Sequence, residues 1–222
     1  MIDLSKRRYR TICVIEKYRQ LYRYSSKEEQ LLVSSSVLNF IWNAWSMFWR
    51  AYWNVYIAGG YDLTRARVGG VFPRYTIPQS CAYAKSLARG GSYTTGSTIQ
   101  HYQEPTWGDP KLIINVASGL LPHIPSMNYL ISFITSYKTE LEELQKIRNA
   151  YIHINNASVN SLRSLEPLYI FRHDQKLLDI LETKRIGSSK ICFDSLVDNM
   201  VGCLKIYNGS RDLKLFTLAL LI

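Results

Sequence analysis

Residues 27–58 read KEEQLLVSSSVLNFIWNAWSMFWRAYWNVYIA. Ser25 or Ser26 stands ready to cap a helix, with Glu28 or Glu29 three residues on, and Gly59-Gly60 closes the stretch. The pattern predicts one helix over about 27–58. At 100° per residue Trp42, Trp45, Trp49 and Trp53 share a face, and Phe40, Ala44, Met47, Phe48, Ala51, Tyr52 and Val55 spread over most of the rest. What remains is a narrow polar stripe of Asn39, Asn43, Ser46, Arg50 and Asn54. A helix apolar nearly all round belongs in a bundle core or a dimer interface. A buried polar group left unpaired costs about 1–3 kcal/mol, so the stripe is either a satisfied core network or the floor of a polar groove.

Helical signals continue outward from this segment. Asp109-Pro110 is a cap followed by proline at the first helical position and predicts a helix over about 110–119. Pro125 or Ser126 opens another, and a third starts near Lys138 or Thr139, with Glu140, Glu142 and Glu143 at the positive end of its dipole. Leu141, Leu144, Ile147, Tyr151 and Ile154 line one face of that third helix, which Asn155-Asn156 ends or kinks. Short helices are expected at 158–165, 176–182 and 193–207, and LYIFR at 168–172 reads as a short strand. Residues 59–108 are irregular, punctuated by Gly59-Gly60, Gly69-Gly70 and Gly90-Gly91 and interleaved with tyrosines; only CAYAKSLA at 81–88 looks helical. Residues 7–24 fit an edge strand, a short helix or an arm laid over a partner. The fold class expected is all-α: a helical bundle over 25–222 with a long Gly-rich insertion at about 59–108 and a basic N-terminal arm at 1–24. The closing run LKLFTLALLI is expected to be tucked into the core or a partner.

The chain has 222 residues, 47% of them hydrophobic and 20% charged. That composition excludes a disordered tail, a collagen-like fibre and a disulfide-held miniprotein. With 27 Lys and Arg against 17 Asp and Glu the net charge is +10, which favours a polyanionic partner, nucleic acid ahead of anionic lipid. The charge is uneven. Residues 1–24 carry seven basic groups against Asp3 and Glu16, and residues 61–90 carry five against Asp62. These are either solvated surfaces or a footprint for phosphates. No signal peptide is expected, and the tryptophan-rich stretch is rejected as a membrane span because Asn39, Asn43, Arg50 and Asn54 interrupt it. Cys13, Cys81, Cys192 and Cys203 form no CxxC pair and read as small buried thiols in a reducing, cytoplasmic setting.

The chemistry centres on KIRNAYIHINN, residues 146–156. On an ideal helix Arg148 and His153 lie about 140° apart and about 7.5 Å along the axis, so they do not stack as an i,i+4 pair. A kink near Asn155, or a symmetry mate, would bring the two together. Together they suit metal-free RNA cleavage. His153 can take the 2′-hydroxyl proton or give one to the leaving 5′-oxygen, Arg148 can brace the phosphorane, and Asn149 can orient either group. One histidine does not easily serve as base and acid in one turnover, which argues for a homodimer with a composite active site. The plain alternative is an imidazole bonded to a carbonyl and an Arg148 that closes a salt bridge with Glu142 or Glu143. Substrate contacts are expected from Arg50, Asn54 and Asn43 of the polar stripe and from Tyr151 and Asn156 beside the motif. His101, with Tyr102 and Glu104, lies in the loop region within reach of a substrate. No HExxH or other metal-ligand spacing and no carboxylate cluster appears, so no metal or cofactor is expected. GGSYTTGST at 90–98 lacks the order of a nucleotide-binding loop, and no helix-turn-helix pattern is seen.

Arg148-Asn149 followed by His153 resembles the R-x4–6-H signature of HEPN domains, including the polar residue after the arginine. The resemblance implies an α-helical bundle that dimerises around a groove. It also implies a metal-independent endoribonuclease that leaves 2′,3′-cyclic phosphate and 5′-hydroxyl ends, with Arg148 and His153 as the catalytic pair. The setting it implies is a toxin or anti-phage effector, with RNA as partner and an antitoxin or other regulatory protein in addition. The motif covers six residues, and the likeness of surrounding helices extends over about 27–58 and 110–207. The Gly-rich insertion and basic arm depart from a minimal member. The alternative function is a non-catalytic partner, adaptor or antitoxin subunit of a larger complex.

Overall fold

The computed structural model describes residues 1–153 and 155–206, without the side chains of Leu31 and Ile206. Among these residues the chain is all-α apart from two short antiparallel strand pairs. Helices α1 (Leu4–Tyr24) and α2 (Lys27–Ala58) are followed by strands β1 (Gly60–Tyr61) and β2 (Arg67–Val68) and by α3 (Ile77–Arg89). Then come α4 (Pro110–Leu120), α5 (Met127–Ser136), α6 (Lys138–Ile152), α7 (Asn156–Arg163), the pair β3 (Tyr169–Ile170) and β4 (Lys184–Arg185), and α8 (Cys192–Ile206). No described helix is long and apolar enough to cross a membrane. The expected burial of LKLFTLALLI falls outside the described residues.

Local chemistry explains the helix boundaries. The Ser26 amide donates to Glu29 Oε2 (2.7 Å) and the Glu29 amide to Ser26 Oγ (3.3 Å), the reciprocal pair that starts α2 where its sequence predicts. Asp109 accepts from the amides of Lys111 and Leu112, and Pro110 fills the first position of α4. Helix α3 begins four residues before the apolar run suggests, because Thr76 and Gln79 cap it and Pro78 sits in its first turn. The segment 176–182 is a tighter 3₁₀ turn, Leu177–Glu182, rather than an α-helix.

Residues 1–24, read from sequence as a basic arm, form helix α1 with Leu4, Thr11, Ile15, Arg19 and Tyr22 buried. Four of these five, Leu4, Thr11, Ile15 and Tyr22, follow one another at seven, four and seven residues, the spacing of a single helical stripe. The polar Thr11 and the charged Arg19 occupy two of the buried places and hide the stripe from a hydrophobicity count.

The described chain divides into two compact units, and the long helices contribute to both: residues 1–11, 45–136 and 204–206 to the first, 12–44, 137–153 and 155–203 to the second. In the first unit α3 packs on α4 and α4 on α5. Residues 51–57 of α2 are buried on every face, and Trp45, Trp49 and Trp53 form a ladder with centroids 5.4 and 6.0 Å apart. The Trp45 indole donates to the Gly108 carbonyl (3.0 Å).

In the second unit α6 packs on α7. Glu143 of α6 is buried, accepts from the Tyr169 hydroxyl (3.1 Å) and pairs with Arg185 (3.0 Å), which ties the β3–β4 pair to α6. Arg19 donates through Nε to Asp194 (3.1 Å) and through Nη2 to Asp198, so α1 and α8 are joined by charge as well as by the Tyr22–Phe193 ring contact.

Arg19→Ala removes the buried guanidinium that Asp194 and Asp198 share while leaving them Arg23 and Lys190, and should cost about 1–2 kcal/mol in chemical denaturation. Burial alone would raise the Asp198 pKa, but hydrogen bonds from Lys190 and Arg19 hold it below the usual range. A depressed folded pKa gives stability that is present above the unfolded value, about 3.9, and is lost as pH falls through the folded one. Melting curves between pH 6 and 2.5 should therefore fall less steeply for Asp198→Asn than for the native chain. Parallel curves would show that the carboxylate contributes nothing.

Candidate functional site

The site lies in the second unit, at the C-terminal turn of α6. Leu141, Leu144, Ile147 and Ala150 bury one face of this helix, which leaves Arg148 and Asn149 half-buried at its margin. Arg148 Nη2 donates to Asn39 Oδ1 of α2 (2.7 Å), and Nη1 donates to the neighbouring Asn149 Oδ1 (3.0 Å). Both acceptors are neutral amides. Among the described residues no carboxylate pairs with Arg148, and its Nε is buried with no partner. Burial lowers the Arg148 pKa, yet a guanidinium stays charged in a protein. The result is a partly desolvated positive charge held in orientation and left uncompensated. The salt bridge to Glu143 that the sequence allowed does not form, since Glu143 is taken by Tyr169 and Arg185.

His153 is the first residue past α6. Its backbone leaves the helix at φ −118° and ψ 78°. Its amide donates to the Asn149 carbonyl (2.8 Å) and its carbonyl accepts from Ser158 Oγ. Asn155 caps α7 by accepting from the Ser158 amide (2.9 Å). The backbone of His153 is thus pinned from both sides by the α6–α7 turn, while the side chain is exposed. Helix α6 stops at Ile152, a little before the Asn155-Asn156 pair expected to end or kink it, so His153 lies off the helix. Asn149 serves both members of the pair, its side-chain oxygen holding Arg148 and its carbonyl holding the His153 amide.

The remaining sequence-predicted residues separate into two groups. Tyr151 is half-buried, its hydroxyl donates to the Leu178 carbonyl, and burial raises its pKa. Tyr151 thus has its hydroxyl proton already engaged within the protein. It borders an open cavity of about 580 Å³ whose walls include Tyr22, Lys27, Ser34, Arg172 and Glu182. Asn156 is exposed at the start of α7, and Asn43 is exposed on α2.

Arg50 and Asn54 belong to the first unit. Arg50 Nε and Nη2 donate to both carboxylate oxygens of Glu104 (2.6 and 2.7 Å), and Glu104 also accepts from the Trp107 indole (2.6 Å). Asn54 is buried and donates to the Arg50 carbonyl (2.8 Å). This part of the polar stripe is a core network. Its other part, Asn39, holds Arg148. Asn39 is the residue that site-by-site reading passes over, and its only sequence signal is its place at the head of that stripe, four residues before Asn43.

Among the described residues no group of three or more His, Cys, Asp and Glu side chains is assembled as metal ligands. Burial raises the Cys81 thiol to about 11 and that of Cys192 to about 12, which keeps both protonated and poor nucleophiles at neutral pH.

Compared with protein-family models, curated proteins and solved structures, the chain finds no match in any of the three.

Proposed function

We propose that the protein is a metal-independent endoribonuclease of HEPN type, acting in a toxin or anti-phage defence setting. One observation carries the reading. A half-buried guanidinium, Arg148, is oriented by two amide oxygens and, among the described residues, paired with no acid, five residues before an exposed histidine at a pinned helix end.

In the proposed reaction the 2′-oxygen attacks the adjacent phosphorus as a base takes its proton. The P–O5′ bond breaks, and the departing 5′-oxygen receives a proton. The products are a 2′,3′-cyclic phosphate and a 5′-hydroxyl, with no water consumed. His153 supplies one of the two proton transfers. A second copy of the chain in a homodimer supplies the other through its own histidine. Negative charge accumulates on the non-bridging oxygens as the phosphorane forms. An uncompensated guanidinium stabilises that charge more than one already satisfied by a carboxylate. Asn39 and Asn149 are positioning residues that act through Arg148. An antitoxin or regulatory partner fits the same setting.

Purified protein incubated with single-stranded RNA in EDTA should yield cyclic-phosphate ends. His153→Ala and Arg148→Ala should each lower the cleavage rate roughly 10²–10⁴-fold while the melting temperature stays near that of the native chain. Full activity in His153→Ala, loss of cleavage in EDTA, or cutting at a 2′-deoxy position would each refute the mechanism. Asn39→Ala should slow cleavage about tenfold, and Asn39→Asp further, because a carboxylate at that place would neutralise the guanidinium. Asn39→Asp cutting as fast as the native chain would show that the charge of Arg148 is not what matters.

A further inference from the structure

We infer that the stretch from Arg65 to Tyr102 in the first unit is a docking surface for single-stranded RNA, distinct from the site on α6. The choice of RNA among polyanions rests on the proposed function; the charge and ring geometry do not. Between Tyr61 and Gln103 the sequence holds five cationic side chains, Arg65, Arg67, Arg74, Lys85 and Arg89, and one acid, Asp62.

That acid is already spent. Asp62 Oδ1 accepts from the Thr64 amide (2.8 Å), the Thr64 hydroxyl (2.7 Å) and the Ala66 amide (2.9 Å) in the β1–β2 turn. The four arginines are exposed, and among the described residues none of them makes an ion pair. Their charge stands free for phosphates.

The segment is built rather than slack. Val71 and Phe72 donate to the Tyr56 and Ile57 carbonyls (3.1 and 2.7 Å). Gly70 has φ +76°, and a Cβ there would come within 2.5 Å of the Gly59 nitrogen, so glycine is required where the base of the hairpin closes. Phe72 stacks on Tyr75 with centroids 4.6 Å apart, and Tyr83 and Tyr93 complete a four-ring cluster. Lys85 Nζ donates to the Gln103 carbonyl (2.9 Å), which holds the 3₁₀ turn His101–Gln103 beside α3. That turn presents Tyr102 with 83% of its surface exposed.

An exposed tyrosine gains little from water and much from the face of an unpaired base. Cations interleaved in sequence with aromatic residues, as at 65–102, are the combination that tracks a single strand. A duplex hides its base faces, so the exposed Tyr102 ring favours the single strand.

The test uses the full chain carrying His153→Ala, so that bound RNA is not cut. Fluorescence anisotropy with a labelled 20-nucleotide single strand of mixed sequence is recorded over a salt series. Adding Arg65→Gln, Arg67→Gln and Arg74→Gln together should weaken binding at least tenfold at low salt. It should also reduce the slope of log K against log salt by about two, given about 0.7 per phosphate contact. Tyr102→Ala should weaken binding roughly tenfold with the slope unchanged. All four side chains are exposed, so the melting temperature should not move.

No RNA binding, or an unchanged affinity and slope in the triple variant, overturns the surface. So does preferential binding to phosphatidylserine vesicles that RNA fails to displace. Cleavage by the native chain is measured on the same RNA to separate the two proposals. Arginine-dependent binding without cleavage retires the nuclease and leaves the surface standing, and cleavage unaffected by the triple variant does the reverse.

Discussion

The functional reading depends on how one buried charge is held. A guanidinium taken partly out of water asks for hydrogen-bond acceptors, and the cheapest neutralising acceptor in a protein is a carboxylate. Arg148 receives amide oxygens instead, one from α2 and one from its own neighbour. Amides satisfy donors without cancelling charge. That arrangement leaves a positive potential at the edge of α6, where an anion can approach, and it explains why burial alone governs the Arg148 pKa. It also depends on keeping acids away. Glu143, five residues back on α6, is held by Tyr169 and Arg185.

Arg50 shows the opposite treatment within the same helix stripe. Its guanidinium is gripped at two points by Glu104, and that hydrogen bonding raises its pKa where the desolvation of Arg148 lowers the other. The Arg50 charge is neutralised within its unit, and the Arg148 charge has only amide acceptors among the described residues. The polar stripe of α2 thus divides. Arg50 and Asn54 close a core network in the first unit, and Asn39 orients a charge in the second.

The long helix and its limits are legible in sequence because the information is local. A capping box at Ser26 and Glu29, a dense apolar run and a glycine pair all act within a few residues. The end of α6 is legible for the same reason to within a few residues, since Asn155-Asn156 marks it and the helix closes at Ile152. Helix α1 is not legible, because Thr11 and Arg19 take buried positions that a hydrophobic pattern would fill, and the partner that matches the Arg19 charge, Asp194, is distant in sequence. The Glu104 that claims Arg50 lies 54 residues away, and the Asn39 that holds Arg148 lies 109 residues away. Sequence spacing carries no trace of such pairings. Arg148 and His153 stand out by residue type, but whether the arginine was free or neutralised required the fold.

The most direct measurement is of the guanidinium itself. Arginine side-chain ¹⁵N spectra of the His153→Ala protein, titrated with a short single-stranded RNA, report on the Arg148 Nε–H, which has no partner within the described structure. The account predicts a saturable shift of that resonance as phosphate reaches the charge, lost in Asn39→Asp. A resonance that stays still at saturating RNA, with its surroundings unchanged by the aspartate, would contradict it.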